Sequence, residues 1–483
     1  MASEIVEAFD KLRRDRPDRP LIYVPGRASV VTAQDLADAV SRIIAALEHL
    51  AIDPDSVIIS AVGNTPLLCA LLLACRSRGQ PLLAFDHTGT SAEIDRQVDA
   101  FSAAAIVAPD TYSAKGTAGH PIGGGVAIIP LTRRPADDRC RGAAVLKQTS
   151  GSTGAPRATF TTEAALVSDA RRLVKAMDIG PDDVQIAAIP LAHSYGLGNL
   201  VLPLLLNGTA TSTRSAFVPQ RIADDARDVG ARHLPGAPFM FAHWLEHPPQ
   251  DGWPPTLTRL ISAGAPLEPE IAERFRRQFG VKVRPFYGTS ETGGIAFDDS
   301  DDSAAPGFVG RALPGVSIRL LPGADGIGRL HVRSSAVSSG YIADRDDQSF
   351  SDDGFLTGDL ATLDARGLTL RGRVSSFVNV AGRKVQPDEV AATLRGFPGV
   401  LDAAVIGIAD AQRGEQLAAC LATYDAQLPN VALRAFCAAR LSAHKIPRVF
   451  VFTDRLPRNA RGKVDARAVR DLIEQQIGAA DML

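Results

Sequence analysis

The sequence predicts an α/β protein built from a large N-terminal domain of doubly wound sheets, a small β-barrel-like subdomain within it, and a smaller C-terminal α+β domain. Two observations carry this prediction. In the first half of the chain, short β-branched runs alternate with segments of helical periodicity, which is typical of parallel strands joined by helices. Past Gly307 the strand-like runs become short and are separated by Gly/Asp turns, which indicates antiparallel pairing.

The N-terminal elements follow from capping and periodicity. A helix is predicted to begin after Thr32, because Thr32 and Asp35 form a T-x-x-D box that can satisfy the first amide groups of a helix. Later segments are predicted as strand Val57–Val62, buried helix Pro66–Arg76, strand Pro81–Phe85, and strands at Val184–Pro190, Thr258–Ser262 and Lys282–Tyr287. Strand, helix and strand at this spacing predict parallel, doubly wound units.

The C-terminal part is predicted to contain shorter elements. The acidic run 298–302 is predicted as a solvated loop, because it lacks the glycine and the distal glutamate of a calcium loop. We place the domain boundary after residue 373, which gives domains 1–373 and 374–483. Strands are predicted at Val316–Leu321, Gly328–Arg333, Leu368–Arg371, Ala403–Ile408 and Leu417–Thr423, and helices at Asp388–Arg395 and Val431–Leu441.

Composition excludes several classes of protein. The 483 residues include 52 basic and 54 acidic ones, and this balance argues against a dedicated nucleic-acid or membrane-surface binder. The longest apolar stretch, Pro66–Cys75, is about half of the ~20 residues that a membrane span needs, and the acidic N-terminus does not resemble a secretory signal. The five cysteines are scattered without a CxxC pair, so we expect reduced thiols and a cytoplasmic location.

The strongest local signal is a six-residue loop that follows the apolar run 143–146. Its four hydroxyl side chains and two glycines offer the hydrogen-bond donors that phosphate oxygens require. Its residues are Thr149, Ser150, Gly151, Ser152, Thr153 and Gly154. A Walker-type loop is excluded, because no lysine follows the second glycine. Composition alone equally allows a serine- and glycine-rich surface linker.

Three further segments carry residues suited to nucleotide chemistry. One places an aromatic ring, hydroxyls and a carboxylate suited to Mg²⁺ after a predicted strand. The second is a Thr-Gly-Asp turn, whose aspartate is a typical partner of ribose hydroxyls. The first segment contains Tyr287, Gly288, Ser290 and Glu291, and the second contains Asp359, followed by Arg373. The third segment lies near the C-terminus and contains Lys463. Taken singly, each also fits an ordinary turn or a surface lysine.

Together these segments, in this order, resemble the ANL superfamily of adenylate-forming enzymes, which includes acyl- and aryl-CoA synthetases, peptide-synthetase adenylation domains and firefly luciferase. The resemblance covers nearly the whole chain, from the helices near residue 32 to Lys463. TSGSTG resembles the family's phosphate loop, and YGTSE its adenine- and magnesium-binding motif. GFLTGD is similar to the ribose motif, Gly372-Arg373 to the hinge-proximal arginine, and PRNARGK to the catalytic lysine motif.

The resemblance also implies roles for individual residues. Lys463 is implied to be the catalytic lysine on a mobile C-terminal domain, with Glu291 and Ser290 at the magnesium site and His193 gating the carboxylate pocket. The other implied positions are Gly264, Ala265 and Pro266 beside the adenine opposite Tyr287, Phe239, Met240 and Ala263 in the substrate pocket, Gly382 beside the entering thiol, and Ser375 at the hinge.

Several positions depart from the family's pattern. Ala155 and Arg157 stand where lysines are usual around the loop's proline, and Arg157 keeps one positive charge for phosphate binding. Ser290 replaces the commoner threonine and keeps its hydroxyl. Ala263 takes a place often held by glycine, so its methyl group is expected to enter the substrate pocket. Ser375 replaces the usual aspartate or lysine, which affects domain rotation and not the fold.

The resemblance implies an ATP-dependent ligase that joins a carboxylic acid to coenzyme A through an acyl-adenylate, using ATP and Mg²⁺. Two alternatives share the first half-reaction: transfer of the acyl group to the phosphopantetheine of an acyl carrier protein, or to an amine. The missing loop lysines motivate a third alternative, a nucleotide-binding regulator without catalytic activity. A plain ATP hydrolase is a fourth. His193, Phe239 and Met240 favour an aromatic or medium-length acid over a long fatty chain.

Overall fold

The predicted capping box is present at the start of its helix. In the computed structural model the Asp35 amide donates to Thr32 Oγ1 at 3.1 Å, and the Thr32 amide donates to the Asp35 carboxylate at 2.9 Å. This reciprocal pair fixes the first turn of the helix Ala33–His49, whose buried face includes Leu36, Ile43 and Leu47.

The structure describes most of the chain. The described residues are 3–27, 29–85, 91–112, 118–131, 137–149, 157–214, 218–302, 305–321, 323, 326–342, 348–373, 378–380, 383–385, 387–410, 414–424, 428–441, 443–458 and 464–480. None of the helices in these ranges has the length and apolar character that a membrane crossing requires.

The helices are α1 (Glu4–Asp15), α2 (Ala33–His49), α3 (Pro66–Arg78), α4 (Ser91–Phe101), α5 (Glu163–Ala176), α6 (Ser194–Gly196), α7 (Leu202–Asn207), α8 (Pro219–Asp228), α9 (Pro238–Glu246), α10 (Pro269–Phe279), α11 (Pro387–Arg395), α12 (Asn430–Ala438) and α13 (Ala466–Ala480). A π-helical turn, Leu197–Val201, joins α6 to α7.

The strands are β1 (Pro20–Val24), β2 (Ser29–Thr32), β3 (Ile58–Ser60), β4 (Leu82–Ala84), β5 (Ala105–Pro109), β6 (His120–Gly123), β7 (Val126–Pro130), β8 (Val145–Thr149), β9 (Arg157–Thr161), β10 (Val184–Ala187), β11 (Ala210–Thr213), β12 (His233–Gly236), β13 (Arg259–Ser262), β14 (Val283–Thr289), β15 (Gly293–Phe297), β16 (Phe308–Ala312), β17 (Ser317–Leu321), β18 (Gly328–Arg333), β19 (Phe350–Ser351), β20 (Gly354–Leu363), β21 (Leu368–Arg373), β22 (Val378–Val380), β23 (Arg383–Val385), β24 (Val400–Asp410), β25 (Gly414–Thr423) and β26 (Val449–Thr453).

The chain divides into two units. The first contains Met1–Arg319, His331–Thr357 and Leu363–Thr369, and the second contains Leu320–Leu330, Gly358–Thr362 and Leu370–Leu483. The predicted fold class, a mixed α/β chain with a large N-terminal part and a smaller C-terminal part, is confirmed. The strands predicted between Val57 and Tyr287 are present, mostly one or two residues shorter or shifted at their ends.

The first unit contains two sheets with parallel centres. One has the order β6-β7-β5-β3-β4-β8-β9, in which β5, β3, β4 and β8 are parallel. The other runs β2-β1-β11-β10-β12-β13-β14-β15-β16, parallel from β1 to β14 and antiparallel beyond it. Helix α3 is buried on nearly every side, because Leu68 to Arg76 are all buried. Strand β8 leads into the TSGSTG motif and strand β14 into the YGTSE motif. Each of these strands is paired on both sides within its sheet.

The second unit has a separate sheet with a helix-covered core on each side. Its order is β23-β22-β25-β24, with β26 pairing in parallel to β25. One cluster joins α11 and α12 to residues such as Val385, Leu417 and Leu433. A second cluster, with Ala418 and Val469 among its members, packs under α13.

The acidic run 298–302 differs from the prediction at one residue. Asp298 is buried, and its carboxylate accepts from Lys282 Nζ at 2.8 Å, while Asp299, Asp301 and Asp302 are exposed. Lys282 also donates to the carbonyls of Ser300 and Asp302, at 2.8 and 2.9 Å. The prediction of a fully solvated loop was wrong for Asp298. Antiparallel pairing of β14 with β15 brings Lys282 to Asp298, and the sequence of the acidic run does not indicate this pairing.

This buried pair gives a prediction about stability. Lys282→Met leaves the Asp298 carboxylate buried without its cation, so we expect the free energy of unfolding to fall by about 3–5 kcal/mol. The exposed pair of Lys11 and Asp15 is the control, and Lys11→Met is expected to change stability by less than about 0.5 kcal/mol. Urea denaturation measures both. A loss for Lys282→Met as small as that for Lys11→Met would contradict the buried pair.

Candidate functional site

The YGTSE motif forms the end of β14 and the turn into β15. A register irregularity separates Tyr287 from Gly288 in the pairing with β15, and the turn is tightened by a 3.1 Å contact between the hydroxyls of Thr289 and Thr292. A Cβ atom on Gly288 would lie 2.6 Å from the Gly293 carbonyl oxygen. The glycine therefore lets the two strands close behind the turn that presents Glu291.

Glu291 is held from two directions. Its carboxylate Oε1 accepts from the hydroxyl of Tyr341 at 2.7 Å, and its carbonyl oxygen accepts from the Ser338 amide at 2.7 Å. The side chain is half-buried. A carboxylate fixed by its neighbours while part of its surface stays accessible suits a ligand that brings positive charge, such as Mg²⁺ with phosphates.

Ser290 connects three of the predicted segments. Its hydroxyl donates to the Gln148 carbonyl at 3.3 Å and accepts from the Ser194 hydroxyl at 2.9 Å. Gln148 precedes Thr149, the first residue of the TSGSTG loop, and Ser194 follows His193. The structure thus brings together Thr149, Ser290, Glu291 and the neighbourhood of His193, which is itself half-buried at the start of α6.

The TSGSTG loop is anchored at both ends by one hairpin. Strands β8 and β9 pair antiparallel, with Thr149 opposite Arg157 and Lys147 opposite Thr159. Ser150, Gly151, Ser152, Thr153 and Gly154 lie outside the described residues, so their predicted role in phosphate binding stays a prediction.

Beneath the turn lies a buried charged pair of residues that the sequence motifs do not include. Asp169 on α5 is 5% exposed, and its Oδ1 accepts from the Gly294 amide at 2.9 Å. Burial raises the pKa of Asp169, an effect opposed by Lys147 and by the Gly294 hydrogen bond. Burial lowers the pKa of Lys147, and the carboxylates of Asp169 and Glu291 oppose that change. Lys147 is 6% exposed, so its charge depends on these neighbours.

The predicted adenine strip lies at the end of β13. Ser262 and Ala263 are buried, and the three residues that follow, Gly264, Ala265 and Pro266, are exposed. The Ala263 amide donates to the Gly236 carbonyl at 3.1 Å, which ties the strip to β12. The hydroxyl of Tyr195 donates to the Ile261 carbonyl at 3.1 Å, and burial raises its pKa.

The two pocket residues predicted on α9 have different surroundings. Met240 is buried in the main hydrophobic cluster, and its sulfur accepts from the Ala237 amide at 3.5 Å. Phe239 is 49% exposed. Met240 therefore contributes to core packing, whereas the ring of Phe239 stays accessible at the helix start.

The remaining predicted residues belong to the second unit. Asp359 is 8% exposed and accepts from Arg373 Nε at 2.8 Å, so these two motif residues form an ion pair. Lys463, Gly382 and Ser375 lie outside the described residues. Arg458, in the lysine motif, pairs with Asp402 at 2.5 Å. Among the described residues no cluster of three or more His, Cys, Asp or Glu side chains could hold a metal alone.

Comparisons with known proteins agree with this geometry. Residues 9–342 match the family model described as AMP-binding enzyme, and residues 389–463 match the AMP-binding enzyme C-terminal domain. A sulfoacetate–CoA ligase of Cupriavidus necator is 32% identical over 335 residues, which cover 66% of this chain and 65% of that protein. The chain spans 62 to 66% of the length of the first curated relatives that it matches.

Two solved structures have the same fold over nearly the whole chain. ATP-bound MatB from Rhodopseudomonas palustris has a TM-score of 0.81 and 25% identity, covering 97% of this chain and 98% of that one. The amide bond synthetase McbA from Marinactinospora thermotolerans has a TM-score of 0.80 and 26% identity, covering 96% and 99%.

The contact between the turn and Asp169 gives a second stability prediction. Gly293 has φ +68°, and a Cβ atom there would lie 2.5 Å from the Asp169 carboxylate. Gly280, the C-cap of α10, has φ +74° and open space around it. Both substitutions to alanine carry the backbone penalty of about 1–2 kcal/mol. We expect Gly293→Ala to cost about 1–3 kcal/mol more, because Asp169 must move. Urea denaturation compares the variants, and equal losses would contradict the contact.

Proposed function

The chain belongs to the family of AMP-binding enzymes within the ANL superfamily of adenylate-forming enzymes, and we propose that it is an AMP-forming acid–CoA ligase. One observation carries the proposal: the Ser290 hydroxyl donates to the Gln148 carbonyl, directly before the TSGSTG loop, so two nucleotide motifs converge. The similarity to the sulfoacetate–CoA ligase of Cupriavidus necator supports CoA as the acceptor.

The reaction explains why these groups are needed. A carboxylate is a poor acyl donor, and transfer to the α-phosphorus of ATP converts it to an acyl-adenylate whose leaving group is AMP. Pyrophosphate leaves in this step, and AMP leaves when the thiol sulfur attacks the acyl carbon. Both reactants of the first step are anions, so preorganised donors and positive charge must offset their repulsion.

The residues present fit Mg²⁺. Glu291 supplies one half-buried carboxylate, and Mg²⁺ is typically bound by one or two carboxylates with substrate phosphates completing its ligands. When bound, the ion neutralises charge on the phosphate oxygens. Ser290 and Thr149 would supply hydroxyls to the nucleotide phosphates, and Ser150 to Gly154 the further donors of the loop.

In this proposal the nucleotide and the acid are held by different residues. Tyr287 and the strip Gly264–Pro266 hold the adenine, and Asp359 holds the ribose with Arg373 as its partner. His193 gates the acid's carboxylate, while Phe239 and the methyl group of Ala263 limit the pocket and Met240 supports its wall from within the core. The acid in this proposal is aromatic or of medium length.

The C-terminal residues complete the proposal. Domains 1–373 and 374–483 move about Ser375, Lys463 bridges the carboxylate and the α-phosphate in the first step, and the thiol enters beside Gly382 in the second. The five cysteines are buried free thiols, which supports a cytoplasmic location.

An amine is the second candidate acceptor, because the amide bond synthetase McbA shares the fold at 26% identity over nearly the full length. It shares the adenylate, and only the second step differs. Transfer to the phosphopantetheine of a carrier protein would likewise begin with the same adenylate.

Pyrophosphate release decides between ligase and regulator. We expect ATP with a panel of aromatic and medium-length acids to release pyrophosphate, and CoA to convert the adenylate to a thioester. Formation of an amide with an added amine, and no thioester with CoA, would establish the amide synthetase instead. Binding of ATP without pyrophosphate from any acid would favour the regulator, and phosphate release without an acid would favour a hydrolase.

Lys463→Ala separates the two half-reactions. Because Lys463 contacts the α-phosphate only in the first step, we expect ATP–pyrophosphate exchange to fall about 10²–10³-fold. Thioester formation from a supplied acyl-adenylate is expected to keep the wild-type rate. Lys445→Ala is the matched control, since Lys445 pairs with Glu389 on the surface of the same unit. Equal loss of both half-reactions in Lys463→Ala would contradict this role.

A further inference from the structure

Arg157 lies where the chain re-enters the sheet after the TSGSTG loop. It is the first residue of β9 and pairs across the hairpin with Thr149, where the loop begins. Its guanidinium carbon lies 3.5 Å from the centroid of the Tyr341 ring. A planar guanidinium can lie flat on an aromatic ring at this distance, and its positive charge is attracted to the ring's face.

Tyr341 links Arg157 to Glu291, whose carboxylate is the proposed Mg²⁺ ligand. It is 8% exposed, and its hydroxyl donates to Glu291 Oε1 at 2.7 Å. The ring of Phe350 meets the Tyr341 ring edge to face, with the centroids 5.0 Å apart. The tyrosine is therefore held by two neighbouring groups, and its hydroxyl has one carboxylate oxygen as its acceptor.

Backbone hydrogen bonds set this arrangement. The Phe160 amide donates to the Gly340 carbonyl at 2.8 Å, and the Ser339 amide donates to the Phe160 carbonyl at 2.9 Å. The Ile342 amide donates to the Ala158 carbonyl at 3.0 Å, and Thr159 and Tyr341 form an isolated antiparallel β-bridge. The segment 338–342 thus lies along β9 in a fixed register, and this backbone pairing places Tyr341 beside Arg157.

We infer that Arg157 and Tyr341 are a positioning pair that orients the Glu291 carboxylate toward Mg²⁺–ATP, an inference that rests on the proposed function. A cation on the ring face makes the phenol hydroxyl a stronger donor, and the bonded Oε1 fixes the rotamer of Glu291. The second carboxylate oxygen then points to the same place in every molecule. The arginine at this position, where the family commonly has lysine, acts through the ring because a guanidinium stacks better than an ammonium.

The test separates the ring, the hydroxyl and the charge. Tyr341→Phe keeps the ring and removes the hydroxyl, Arg157→Met removes the charge, and Arg157→Lys keeps the charge without the planar group. We expect Tyr341→Phe and Arg157→Met each to raise the free Mg²⁺ concentration for half-maximal ATP–pyrophosphate exchange about 10–100-fold. Arg157→Lys is expected to recover only part of that loss.

Two further measurements distinguish positioning from direct phosphate binding. Isothermal calorimetry is expected to show weaker Mg²⁺–ATP binding in the same variants. This measurement of the dissociation constant does not require an acid that supports exchange. The double variant Arg157→Met/Tyr341→Phe is expected to lose no more than the worse single variant, because both act through one hydrogen bond. Arg366→Met is the control, since Arg366 lies over Phe308 at 5.9 Å, and it should change neither measurement.

Some results would overturn the inference. If Arg157→Met weakened ATP binding with unchanged Mg²⁺ dependence, and its effect added fully to that of Tyr341→Phe, Arg157 would contact phosphate directly. If both variants bound Mg²⁺–ATP like wild type while losing thermal stability, the contact would be structural only. Absence of exchange in the wild type with normal calorimetry would refute the ligase proposal and leave the positioning pair to be judged by binding alone.

Discussion

The carboxylate of Asp169 lies beneath the turn that carries Glu291, and the site depends on it. A buried charge is costly unless hydrogen bonds and opposite charge surround it. Gly294 supplies the hydrogen bond, Lys147 supplies the charge, and the absence of a side chain on Gly293 supplies the space. Helix α5, strand β8 and the turn are therefore tied together, because displacement of any one of them would leave a charge without its partner.

Sequence predicted the elements of the fold well, since these depend on local patterns. The capping box at Thr32 and the strands that end in the motifs follow from neighbouring residues. Asp169 and Tyr341 were missed because Asp169 meets Gly294 and Tyr341 meets Glu291 only through tertiary packing, from distant places in the chain. Lys147 did leave a signal, a lysine directly after the apolar run 143–146, although a charge at a strand end is also common at surfaces. Asp298 was misjudged for the same reason as the missed residues: two strands, β14 and β15, and the turn between them separate it in sequence from its partner Lys282.

The even charge balance of the chain agrees with a site that handles anions locally. Arg157 lies on an aromatic ring and Lys147 is enclosed near two carboxylates, so neither contributes to a general positive surface field. Short-range donors in a partly enclosed site act more strongly than the same charges in water. Selectivity for a nucleotide can thus arise without the long-range attraction that would also collect other polyanions.

The second unit buries both faces of its sheet within itself, under α11 and α12 on one side and α13 on the other. A segment with its own pair of cores carries most of the information for its folding in its own sequence. In evolutionary terms such a segment behaves as a module: substitutions that retune the chemistry of one unit leave the hydrophobic interior of the other untouched.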